Sequence, residues 1–149
     1  MKFMSYCDWF ETHANKHHAI LQKLQAKNLT SQEMIDYFNF ENMVVCEPDF
    51  CPLYANKQKC HDVAYLSCFL CACPFFRFND EGLCEENGMT VKSTCAICAK
   101  HGQKLTYENV IHQDCSLCFL PHTKGFVKKH FDVDWKTIMK ACAVTSPKV

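Results

Sequence analysis

The chain has no net charge, no long apolar run and few glycines. Sixteen Lys and Arg balance sixteen Asp and Glu across 149 residues, so no global field draws in nucleic acid or an anionic membrane. No stretch approaches the roughly 20 apolar residues that span a bilayer. The four glycines build no phosphate-cradling loop. The start, Met1 to Phe10, has neither an apolar run nor a small-residue cleavage site. It does not read as a signal peptide, and the expected compartment is the cytoplasm. Several cofactor motifs are missing too. There is no Cys-x-x-x-Cys-x-x-Cys run of the radical S-adenosylmethionine type and no bacterial ferredoxin run. Cys-x-x-Cys-His for covalent haem and His-Glu-x-x-His for zinc hydrolysis are also absent.

What is present in excess is cysteine, with thirteen residues. A small secreted scaffold can carry that many as disulfides. The odd count and a start that does not read as a leader argue against it here. Reduced thiols that cluster are most simply ligands for a soft metal, while disulfides and redox-active or merely buried thiols are the other readings. A chain of this length suffices for one domain with a core of its own.

The texture changes along the chain. Residues 5–26 read as an amphipathic helix capped by Ser5, with Phe10, Ala14, His17, Leu21 and Leu24 at helical spacing. Thr30-Ser31-Gln32-Glu33 is a capping box that opens a second helix carrying Met34, Ile35 and Phe38. Residues 1–42 are therefore expected to form a helical hairpin. From 43 to 122 periodicity fades, and eleven of the cysteines fall there. This metal-binding core is expected to be built from turns ordered by cross-links, with a short helix over Leu105–His112. Residues 123–149 return to helical texture, with Asp132 as a cap and Trp135, Ile138, Met139 and Cys142 on one face. Cys7 and Cys142 read as small buried hydrophobes on these outer helices. The fold expected is one mostly α domain, with helices flanking an irregular cysteine-rich centre.

The centre holds Cys46, Cys51, Cys60-His61, Cys68-Phe69-Leu70-Cys71-Ala72-Cys73-Pro74, Cys84, Cys95-Ala96-Ile97-Cys98, Cys115-Ser116-Leu117-Cys118 and Pro121-His122. A Cys-x-x-Cys turn presents two sulfurs on one side of a tight loop, where one ion or cluster takes both. Three such pairs point to metal. Eleven thiols taken four at a time fill two centres and leave three over; a histidine among His61, His101, His112 and His122 would complete a third. Cys68, Cys71 and Cys73 are too tightly spaced to serve one centre comfortably, so a division between two centres is expected.

Thiolates suit zinc, iron–sulfur clusters and Cu(I) alike. Cys73-Pro74 and the surrounding Phe69, Leu70, Phe75, Phe76, Phe119 and Leu120 lean toward [4Fe–4S] clusters shielded from water. Scattered Cys-x-x-Cys pairs are the ordinary grammar of structural Zn²⁺, the alternative.

The order of these motifs resembles the cysteine-rich small domain family, a zinc-finger-like group of prokaryotic proteins regarded as metal binders. The residues carrying the resemblance are Cys51, Cys60-His61, Ser67 to Pro74, Cys84, Asp114 to Cys118 and Pro121-His122. The gap between Cys51 and Cys60 is longer here. Cys46, the Cys95–Cys98 pair and both helical ends are additions. The resemblance implies metal binding and no particular reaction. His61 and His122, at matched positions, become candidate ligands or hydrogen-bond donors to thiolates. His13, His17, His18 and His130 fall on predicted helices or their ends, where the surface is the default.

The function expected is metal binding at two, or three, Cys-ligated centres with an electron-transfer or redox-sensing role and a protein redox partner. A structural zinc interaction module is the alternative, and a small metalloenzyme with an open coordination position comes third. Nucleic-acid binding through Lys124, Lys128, Lys129, Lys136 and Lys140 comes last.

Overall fold

A computed structural model describes residues 4–144 of the chain. Helix α1, Tyr6–Ala26, forms where the apolar stripe predicts it. The Ser5 hydroxyl accepts from the Asp8 amide, and Phe10, His13, Ala14, His17, Ile20, Leu21 and Leu24 all face inward. Helix α2, Ser31–Tyr37, begins on the Thr30–Glu33 capping box, with both reciprocal bonds in place. A third helix, α3 (Phe40–Cys46), follows after a short break, so the amino-terminal part has three helices where a hairpin was expected. Near the other end lie α4, Lys124–His130, and α5, Trp135–Ile138. Asp134, not Asp132, caps α5, taking the Lys136 amide; Asp132 accepts from the Asp134 amide.

The largest correction concerns the centre. It was expected to lack ladders, yet six short strands run through it: β1 (Phe76–Phe78), β2 (Cys84–Glu86), β3 (Met89–Val91), β4 (Ser93–Cys95), β5 (Gln103–Tyr107) and β6 (Val110–Asp114). Strand β1 pairs antiparallel with β4, and the others form a sheet of order β2-β3-β6-β5 in which only β3–β6 is parallel. The domain is mixed α/β rather than mostly α, with 38% helix and 18% strand. The predicted helix over Leu105–His112 is the β5–β6 hairpin. Glu108 and Asn109 both have positive φ at its tip, the left-handed pair that a two-residue hairpin turn requires. Asn87 and Gly88 do the same between β2 and β3.

The core lies between the helices and the cysteine run. Leu66, Ser67, Cys68, Phe69 and Leu70 are all buried. Their backbone groups are paired from both sides, as buried peptide groups must be. Phe40 donates to Leu66 (2.9 Å), Cys68 donates to the Phe38 carbonyl (2.8 Å), and Ser67 donates to the His122 carbonyl (3.0 Å). Phe69 packs edge-on against Phe38 and His17 at 4.8 and 4.7 Å between centroids. Cys142 is buried as expected, but Cys7 is exposed. His13, expected at the surface, is 5% exposed, and His17, on the apolar stripe but also given the surface as default, is 0% exposed. His13 stacks on Trp9 and packs against Phe50, each at 4.7 Å, and His17 donates from Nε2 to the Phe69 carbonyl (3.0 Å).

Candidate metal centre

A cavity of about 510 Å³ opens beside the cysteine run. Cys51, Cys60, Cys71 and Cys73 line it, together with Cys95, Cys115, Cys118, His61 and His122. Much of the remaining wall is apolar, including Phe75, Phe76, Ile97, Leu120 and Pro121. Cys68 is buried next to Cys71. The structure leaves Cys46, Cys84 and Cys98 exposed, and none of the three lines this cavity. His101 and His112 lie outside it as well; the His112 ring hydrogen-bonds the Tyr6 hydroxyl, which also contacts Ser93 (2.9 Å).

Among the described residues, Cys60, His61 and His122 form the tightest donor group, their ligand atoms all within 4.8 Å of one another. A carbonyl only accepts, so the ring bonds fix both tautomers. His122 donates from Nδ1 to the Ser67 carbonyl (2.7 Å), leaving the Nε2 lone pair toward Cys60 Sγ at 3.7 Å. His61 donates from Nε2 to the Cys115 carbonyl (2.9 Å), leaving the Nδ1 lone pair toward the same sulfur at 3.0 Å. Burial holds the His122 pKa below the usual histidine range, only partly offset by the Ser67 carbonyl, so the ring is neutral at pH 7. Two nitrogen lone pairs and a sulfur thus face one another, and the single thiol proton satisfies only one nitrogen. Backbone carbonyls orienting imidazoles in this way are the usual outer partners of metal-bound histidines. The donor set fits a soft or borderline cation.

The thiols fall into two neighbourhoods. In one, burial raises the Cys60 pKa to about 11, with Cys68 and Cys51 adding to it. Cys71 is pushed up by its contact with Cys68 and by burial, with Cys60 and Cys51 adding to it. The Cys71 thiol holds Cys68 down against its own burial, helped by the Tyr54 hydroxyl. In the other neighbourhood, burial together with Cys95, Cys142 and Cys118 pushes Cys73 up to about 11. Cys115 rises to about 11 through burial and the nearby Cys118, Cys73 and Cys95.

The division between them falls at a backbone reversal. Ala72 and Cys73 have φ of 89° and 59°, a region that non-glycine residues rarely occupy and that costs about 1–3 kcal/mol per residue. The Cys73 amide closes the turn on the Leu70 carbonyl (3.0 Å), and its carbonyl accepts from Phe76 (3.0 Å). Behind it, the buried Cys142 thiol donates to the same carbonyl (3.4 Å).

Sequence reasoning missed Ser93, whose buried hydroxyl accepts from the Gln113 amide two residues before Cys115. A buried hydroxyl beside a ligand has no local sequence signal. No family model, curated protein or solved structure matches the chain, and the likeness to the cysteine-rich small domain family rests on the residues quoted for it. Among the described residues no helix is long and apolar enough to cross a membrane.

Proposed function

We propose that this chain is a metal-binding protein whose thiol-lined cavity holds Cys-ligated centres. The observation that carries it is the convergence of Cys60, His61 and His122, with each imidazole already committed to a carbonyl and its lone pair turned inward. That arrangement presents three ligand atoms to one point, as a cation site requires.

The finer reading is that the centres are iron–sulfur clusters serving electron transfer or redox sensing. It draws support from the size of the cavity and its seven thiols. A single four-coordinate zinc ion is enclosed by its ligands and needs no such space, whereas an apolar surround is what tunes a cluster's potential. Structural zinc in an interaction module is the second reading, favoured by the mixed thiol and imidazole donors at Cys60, His61 and His122, a common zinc set.

Metal analysis and absorption spectroscopy on protein purified without oxygen test both. Brown protein with iron and acid-labile sulfide establishes the cluster reading. Colourless protein with stoichiometric zinc replaces it with the second. Protein that holds no metal and takes up none overturns the proposal.

A further inference from the structure

The spacing of the cysteines suggests that each Cys-x-x-Cys pair acts as a unit. The fold separates them differently. We infer that Cys73, Cys95, Cys115 and Cys118 form an all-thiolate metal centre of their own, distinct from the Cys60–His61–His122 group, and that Cys98 takes no part in it. The inference rests on the metal-binding reading above and assigns the ligands of a second site within it.

Four features set these residues around one part of the cavity, although no three of their sulfurs approach as closely as the Cys60, His61 and His122 atoms do. Cys95 ends β4, and its partner across the ladder is Phe76, three residues beyond Cys73. The Ala96 amide extends that pairing by donating to Phe75 (2.8 Å). Cys115 directly follows the end of β6, and β6 is tied to β4 where the Gln113 amide donates to the buried Ser93 hydroxyl (2.7 Å). Cys118 is brought back beside Cys115 by its own turn, donating to the Cys115 carbonyl (3.0 Å). The reversal at Ala72 and Cys73 then separates Cys73 from Cys71, which belongs with Cys68, Cys60 and Cys51.

Chemistry supports the grouping. All four thiols border the cavity, with no carboxylate or imidazole among them, and a four-sulfur set selects a soft, thiophilic metal. The Ala99 amide donates to Cys95 Sγ (3.4 Å), the kind of hydrogen bond that stabilises a metal thiolate. Cys98 closes the same turn, yet it has φ of 47°, is exposed and lies outside the cavity lining. The 95–98 pair therefore supplies one ligand, not two.

Co²⁺ alone is the probe, loaded anaerobically into the full chain, with bound metal counted and the thiolate-to-metal absorption recorded. Cys95→Ser is expected to remove one metal equivalent and leave a spectrum of mixed thiolate and imidazole ligation. Cys98→Ser is expected to match the wild type. His61→Ala with His122→Ala is expected to remove the other equivalent and leave the all-thiolate spectrum. Should Cys95→Ser fold poorly, Cys118→His keeps a ligand in place: its stoichiometry should hold while the ligand-field bands shift. Equal losses from Cys95→Ser and Cys98→Ser overturn the inference, as does an unshifted Cys118→His spectrum. A wild type that binds no Co²⁺ and assembles no cluster with Fe²⁺ and sulfide refutes the metal-binding reading itself, which is a different result from a loaded protein with the wrong ligands.

Discussion

Acid should weaken this protein through two histidines outside the candidate metal centre. His13 and His17 sit one helical turn apart on α1, buried among Trp9, Phe38, Phe50, Phe69 and Trp135. Burial lowers the His13 pKa from 6.5 to about 3, with His17 and Lys16 adding to the effect. Burial also lowers His17 to about 4, despite the opposing Phe69 carbonyl. Among the described residues, His13 Nε2 and His17 Nδ1 have no hydrogen-bond partner, so a proton arriving at either would be buried unpaired. The unfolded chain therefore binds protons that the folded chain refuses. Stability is full above pH 6.5 and falls as the pH drops through 6.5. It levels off only below the folded values. Each histidine accounts for about 2.7 kcal/mol between roughly pH 7.5 and 4.5, at ~1.36 kcal/mol per pH unit below 6.5. Total stabilities of domains are about 5–15 kcal/mol, so the pair together reaches the scale of the whole. Denaturant unfolding of wild type and His13→Gln at both pH values isolates the effect, because metal loss in acid is common to the two proteins and cancels. The wild-type advantage should shrink by about 2.7 kcal/mol on acidification. Parallel pH profiles would refute the reasoning.

Other perturbations probe the site and its supports. Ala72→Gly relieves a left-handed alanine and should raise unfolding free energy by about 1 kcal/mol, read by chemical denaturation; a loss would show that the methyl group packs. Phe69→Ala removes a fully buried ring beneath the cysteine run and should cost about 3–5 kcal/mol, with a matching fall in melting temperature. Cys71→Ala should lose metal and destabilise the fold, and a variant with full metal content and normal melting removes Cys71 from the ligands. Thr30→Ala, far from the site in the capping box, should cost about 1 kcal/mol without changing metal content.

The helices were the most legible part of the sequence. An apolar stripe as regular as Phe10 to Leu24 and a capping box as explicit as Thr30–Glu33 are local signals, and local geometry obeyed them. The strands were not legible for physical reasons. Most are three residues long, too short for alternation to show, and the Glu108–Asn109 turn lacks the glycine that marks such a hairpin. Asn87-Gly88 did carry that mark, but the cysteines around it drew the reading toward irregular turns. His13 was misplaced because its partners, Phe50 and Trp135, come from distant parts of the chain. At the site, the sequence brought forward Cys60, His61 and His122, which the fold does gather. It did not separate them from Cys46, Cys84 and Cys98, because only the fold decides which side of a turn faces the cavity.

Only Ala72 stands between Cys71 and Cys73, so their Cα atoms lie no more than about 7 Å apart. Where these two serve different centres, filling one prepares the other in the intact protein. Fixing Cys71 on one metal already holds the reversed backbone that presents Cys73 to the other, so the second ion arrives at a site whose ordering cost has been met. Loading is then cooperative. In native mass spectrometry of a partly loaded sample, empty and full molecules should dominate, and half-filled ones should be scarce.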